Sequence, residues 1–463
     1  GWGDLCVRLN RVDTPANRDG LYRRENQSAS RFSSPRRGRR GDDRVDPDQQ
    51  DLRVTAVISE ATSEDISEDT IVTRKIYIRS RILRGGLLML LLASISISRA
   101  GERQPASRLI GYTELRTNLP GGRHANVRTS RAVVVAADGS AHRPIAKELV
   151  DNEDAWTQFA GWSPDGKQAI ISRGWQDPEN AMWEEENRRF RMLPGKWQLD
   201  SSLVDLATGK AVGVTAVERV SHYNGGLFFM PDGLGLGFTP LIDGVSKPYM
   251  MDVDGRHKRD VSGDEGGFAY GYSASPDGKL ISYHENYQIY IANADGSDKQ
   301  HIKTGNPFDF GPRWSSDGQW LLFVSGTHGH SNPYIVRRDG TALRKLADLG
   351  GYQGWILFLD VPDFHEGSSD IPVWSADGKS VFYTAKVDDT VELFRITLHG
   401  QKTQLTKSEP GTLHYHVTPS DDGGSLLYGS KRNGVRQLFV MQLSDQVEEQ
   451  ITTGAPGQAA MWP

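Results

Sequence analysis

The sequence predicts an all-β chain in which one four-stranded antiparallel unit repeats, and three observations carry that prediction. First, Trp162-Ser163-Pro164-Asp165-Gly166-Lys167 recurs as Ala274-Ser275-Pro276-Asp277-Gly278-Lys279, Trp314-Ser315-Ser316-Asp317-Gly318 and Trp374-Ser375-Ala376-Asp377-Gly378-Lys379. Met230-Pro231-Asp232-Gly233 and Pro419-Ser420-Asp421-Asp422-Gly423 are weaker copies. Second, another turn follows four of these, at Asp254-Gly255, Asp295-Gly296, Asp339-Gly340 and His399-Gly400, offset by 22, 18, 22 and 22 residues. Third, short apolar or alternating runs such as Trp320-Leu321-Leu322-Phe323-Val324 lie between the turns, and 50 of the 463 residues are glycine with no period of three. Asp-Gly between such runs signals a hairpin of type I′, which needs positive φ at its centre. Repeats of this size mean a β-propeller. Six full units and a partial one at 108–150 give a count of seven blades, with a six- or eight-bladed ring as the alternatives.

In chain order, residues 1–73 hold Arg-rich stretches such as Pro35-Arg36-Arg37-Gly38-Arg39-Arg40 and a Ser/Glu/Asp/Thr run from Ser59 to Thr70. They show no sustained apolar period, so a disordered or non-native extension is expected there. In residues 74–100, Arg74, Lys75, Arg79, Arg81 and Arg84 precede the apolar run Gly85 to Ile97, which ends in Ser98-Arg99-Ala100. That order describes a signal peptide, with an uncleaved anchor as the competing reading. Export to the periplasm or cell exterior is the expectation, with no stable membrane span after cleavage. Residues 101–463 read as a single propeller domain. The partial first unit begins at its second strand, and Ala459-Ala460-Met461-Trp462-Pro463 matches a first strand, so the C-terminal strand is expected to close the ring.

Composition excludes several classes. Net charge is −5, which gives no electrostatic case for nucleic acid. Cys6 is the only cysteine, so intramolecular disulfides and cysteine-based metal centres are excluded. A monomer is expected.

The Trp-Ser-Pro-Asp-Gly-Lys repeats resemble the TolB-type, WD40-like propeller repeat over about residues 108–463. The resemblance implies that the tryptophan packs between blades and that Asp-Gly makes a hairpin. Binding and assembly proteins, peptidase propeller domains and some polysaccharide lyases share this repeat, so it identifies no activity. A propeller peptidase needs a hydrolase domain bearing Gly-x-Ser-x-Gly, and that pentapeptide does not occur.

With four strands per blade, the loops between second and third strands, and those between blades, fall on one face. Eight of twelve histidines sort there: His124, His222, His284, His328, His330, His365, His414 and His416. Alternation in a strand puts positions i and i+2 on one side, so His414 and His416 could both reach one ion, as could His328 and His330. His365, in Asp363-Phe364-His365-Glu366, could be a further ligand or a blade-edge contact. The longest insertion, between Ile171 and Leu203, carries Arg173, Trp175, Trp183 and Trp197. It could be a lid that stacks and clamps a sugar, or a helical hairpin with its tryptophans packed on the rim.

Two functions follow. One is a binding propeller whose mouth takes an acidic saccharide or an envelope protein. The other is a uronate lyase, in which metal or Arg/His neutralises the carboxylate while His or Tyr moves protons. His124, His222, Tyr223 and Arg173 are candidate catalytic groups; Arg123, Trp175, Trp183, Trp197 and Tyr283 are candidate ligand contacts. Leu413-His414-Tyr415-His416 also resembles oligogalacturonate lyases, which bind manganese through histidines including a His-x-His pair. That resemblance implies a divalent metal such as manganese on His414 and His416, with His330 and His284 as further candidates. The family's glutamine three residues before the pair is here Gly411, which puts its coordination sphere in doubt. The incomplete motif favours binding.

Overall fold

The structure, a computed structural model, describes residues 108–462 apart from 117–126, 188–192, 194, 217–219, 243–244, 264–266, 328–329, 353–370, 433–435 and 454–457. The expected extension at 1–73 and leader at 74–100 therefore lie outside the described residues. Among the described residues, no helix is long and apolar enough to cross a membrane.

The chain is all-β apart from one α-helix and short 3₁₀ turns. The second repeat shows the plan. Strands Ala155–Trp162, Gln168–Gln176, Trp197–Asp205 and Ala211–Gly213 pair antiparallel in sequence order. Four sheets have four strands, and a fifth gains the two-residue strand Val245–Ser246. The sixth has eight strands and joins the last two repeats through one parallel pairing, Val391↔Leu413. In the first sheet the C-terminal strand Gln458–Trp462 lies antiparallel to Leu109–Arg116, with Glu114 opposite Met461.

The Ser-x-Asp-Gly turns differ from the expected type I′. Gly166 has φ 66°, but Asp165 is not among the residues with positive φ. Pro164 restricts its own φ to negative values, so the turn is type I followed by a left-handed glycine. Gly166 N–H donates to the Ser163 carbonyl at 2.9 Å. Ser163 Oγ donates to Asp165 Oδ1 at 2.6 Å and accepts from Gln168 N–H at 2.9 Å, which pins the next strand. Ser275, Ser315, Ser375 and Ser420 bond Asp277, Asp317, Asp377 and Asp422 in the same way.

Burial follows strand alternation, with apolar positions meeting across neighbouring repeats. Trp162, Trp314 and Trp374 are buried in clusters that each draw on two adjacent repeats. Trp374 Nε1 also donates to the Arg313 carbonyl at 3.0 Å, tying one repeat to the one before. Two strand glycines are needed for close approach: a methyl group on Gly174 would overlap the Trp156 ring, and one on Gly429 the Tyr415 ring.

Candidate functional site: the loop-rich mouth

On strand Gln168–Gln176, Arg173 and Trp175 share one face by alternation, while Gly174 on the other accommodates Trp156. Both are half-buried. Arg173 Nε donates to the Leu149 carbonyl at 2.9 Å, and its Nη2 pairs with Asp151 at 2.6 Å. Asp151 is largely exposed, so this ion pair is weak and exchangeable.

The insertion after this strand is partly helical. Helix α1, Pro178–Asn187, starts with proline in its first turn, and Asp177 Oδ1 caps Asn180 N–H at 3.0 Å. Glu184, fully buried, accepts from Gln176 Nε2 at 2.6 Å and Asn180 Nδ2 at 3.2 Å, fixing the helix to its strand. Trp183 is half-buried on α1.

Trp197 differs from the expected lid residue. It opens the third strand of its repeat and is fully buried, 5.6 Å from Trp156 between ring centres. Both belong to an apolar arc with Leu199, Leu241, Tyr270, Phe308, Phe310 and Val324, drawn from four repeats. His284 packs beside this arc at 1% exposure, 4.5 Å from the Phe310 ring and stacked at 5.8 Å on Tyr287. Tyr283, expected at the ligand surface, is also fully buried, and its hydroxyl donates to the Ser262 carbonyl at 3.3 Å. Burial pushes its ionisation upward. Tyr283 and His284 are consecutive and so lie on opposite faces of their strand, and both faces are covered, which residue type alone could not show.

His414 is the best-defined histidine of the set. It is fully buried, its Nε2 lies 2.8 Å from Ser408 Oγ and 3.6 Å from Glu392 Oε2, and its ring stands edge-on to Tyr428 at 5.3 Å. Glu392, itself buried, accepts from Thr406 Oγ1 at 2.5 Å, Ser408 N–H at 2.9 Å and Ser408 Oγ at 3.1 Å. Burial alone would raise the Glu392 carboxyl, but these hydrogen bonds outweigh it and hold the group below its ordinary value. Burial, reinforced by the Arg432 charge, lowers His414 from 6.5 to about 4. Serine, histidine and carboxylate meet here without forming a nucleophilic triad. The carboxylate shares Nε2 with the serine, whereas a triad places it on the opposite nitrogen.

The expected His414/His416 pairing is not met. The register slips between Tyr415 and Thr418, and His416 has φ 50°, which breaks the alternation that would align the two rings. His330 opens the strand His330–Arg337 and is exposed. Among the described residues, no three His, Cys, Asp or Glu side chains gather to hold a metal. With His414 Nε2 committed to Ser408 and Glu392, the described donors do not fit the metal that the lyase resemblance implies. His124, Arg123, His328, His365, Asp363 and Glu366 lie outside the described residues, as do the side chains of His222 and Tyr223. Glu392 and Ser408 were missed in the sequence. Their signal was the Thr406-x-Ser408 pair leading into the next repeat.

No family model matches the sequence. An uncharacterized protein of Agrobacterium fabrum is 26% identical over 200 residues, which is 42% of this chain and 59% of that protein. The chain thus spans less than two thirds of that relative's length. Similar solved structures include TolB of Acinetobacter baumannii, 17% identical with a TM-score of 0.42, covering 65% of this chain and 64% of that one. An oligogalacturonate lyase in complex with manganese is 14% identical with a TM-score of 0.48, covering 75% of this chain and 85% of that one.

Proposed function

We propose that this chain is an exported, seven-bladed propeller, closed by its C-terminal strand, whose mouth binds an acidic saccharide without cleaving it. Seven apolar clusters support the ring. They join the first repeat to the second, each later repeat to the next, and the seventh back to the first. In the last of these, Ile110 and Tyr112 meet Leu427, Leu438 and Val440.

The observation that carries the binding reading is the placement of Arg173 and Trp175 on one face of a strand, both partly exposed at its mouth end. A guanidinium pairs with a carboxylate and an indole stacks on a sugar ring. The Asp151 partner is exposed enough for a ligand carboxylate to displace it. Binding is favoured over metal-assisted elimination because His284 and His414, two of its candidate ligands, serve packing and internal hydrogen bonds. Titration calorimetry of the full chain with oligogalacturonate tests this. Arg173→Ala and Trp175→Ala should each weaken binding about tenfold, as the loss of one ionic or stacking contact would. Unchanged binding in both variants would remove this site.

A further inference from the structure

The first strands of four repeats carry the same irregularity. Three residues before the position that precedes the turn serine or its equivalent stand Gly226, Gly271, Gly311 and His416. Their φ values are 67°, 66°, 66° and 50°, and a register slip brackets each. This left-handed conformation suits glycine and strains a residue with a Cβ. Three repeats place glycine there and one places histidine. Such strain persists where something beyond local preference holds it, and it clusters at functional positions.

The surroundings of His416 point to a ligand contact. Its neighbours Tyr415 and Val417 are fully buried, whereas His416 is half-buried and keeps some exposure. Arg436 is buried close by, with its guanidinium 5.1 Å from the Tyr415 ring centre. A neutral imidazole offers one donor and one acceptor nitrogen. Under the ring reading above, the first strand of a repeat is the innermost and borders the central channel.

We infer that His416 is a ligand-contact residue, held in the bulge where other repeats use glycine so that its imidazole can hydrogen-bond a uronate sugar, with Arg436 contributing positive charge. This rests on the acidic-saccharide reading and assigns it a second contact, on the last repeat.

His416→Gly separates contact from architecture, because glycine suits the backbone and removes only the ring. In the full chain, that variant should melt no lower than the native protein and bind oligogalacturonate about tenfold more weakly. His416→Asn, which like histidine enters the left-handed region more readily than most residues and retains donor and acceptor groups, should recover part of the affinity. Native affinity in the glycine variant would overturn the inference while leaving the saccharide reading intact. A large drop in its melting temperature would also overturn it, by showing that the ring supports the blade. Failure of the native chain to bind the sugar would reject the saccharide reading itself, and this contact with it.

Discussion

His414 illustrates how burial decides what a histidine does. Its sequence setting, two positions before a second histidine on a mouth-facing strand, suggested a metal ligand. The fold instead seals it against Tyr428 and engages Nε2 with Ser408 and Glu392. His414→Ala should leave these polar groups without their partner and cost about 1–3 kcal/mol, measurable by urea unfolding. The pH dependence has a definite sign. With the folded group lowered from 6.5 to about 4, the unfolded chain binds the extra proton inside that window. Stability therefore falls as pH drops from about 6.5 toward 4, by up to about 1.4 kcal/mol per pH unit for this proton. His414→Gln should flatten that slope, which unfolding curves at three pH values would reveal.

At the scale of elements, repeats and turns were legible because each rests on local chemistry. Ser163, Asp165 and Gly166 close their own hairpin, and the same side chains close it again at Ser375, Asp377 and Gly378. Turn type differs from the Asp-Gly expectation because the turn serine holds the aspartate and the following strand, leaving positive φ to the glycine alone, and this happens at Ser375 with no proline in the turn. The site was less legible. Whether Trp197 faces solvent or core depends on strand register and on Trp156, a partner 41 positions away in sequence. The His416 bulge likewise appears only once the repeats are compared in three dimensions. Close packing yields a further prediction. Gly174→Ala should force Trp156 aside and destabilise the chain by about 1–3 kcal/mol, measured by thermal unfolding. Ser375→Ala should cost about 1 kcal/mol, the value of a hydrogen-bonded turn side chain.

For the whole molecule, the pairing of Gln458–Trp462 with Leu109–Arg116 links the two ends of the repeat region. A propeller closed this way loses cooperativity when that strand is removed, since a sheet edge is exposed and the contact between first and last repeats is weakened. Truncation before Gln458 should lower the melting temperature and broaden the transition in calorimetry. A truncated chain that melts as the native one does would argue against closure. At the mouth, binding and elimination differ in product. The most direct measurement mixes the full chain with oligogalacturonate and divalent manganese, following tryptophan fluorescence for binding and ultraviolet absorbance for unsaturated uronate ends. Binding without cleavage gives a saturable fluorescence change with flat absorbance, unaffected by chelator. A steady rise in absorbance that chelator abolishes would contradict it and make the protein a metal-dependent lyase.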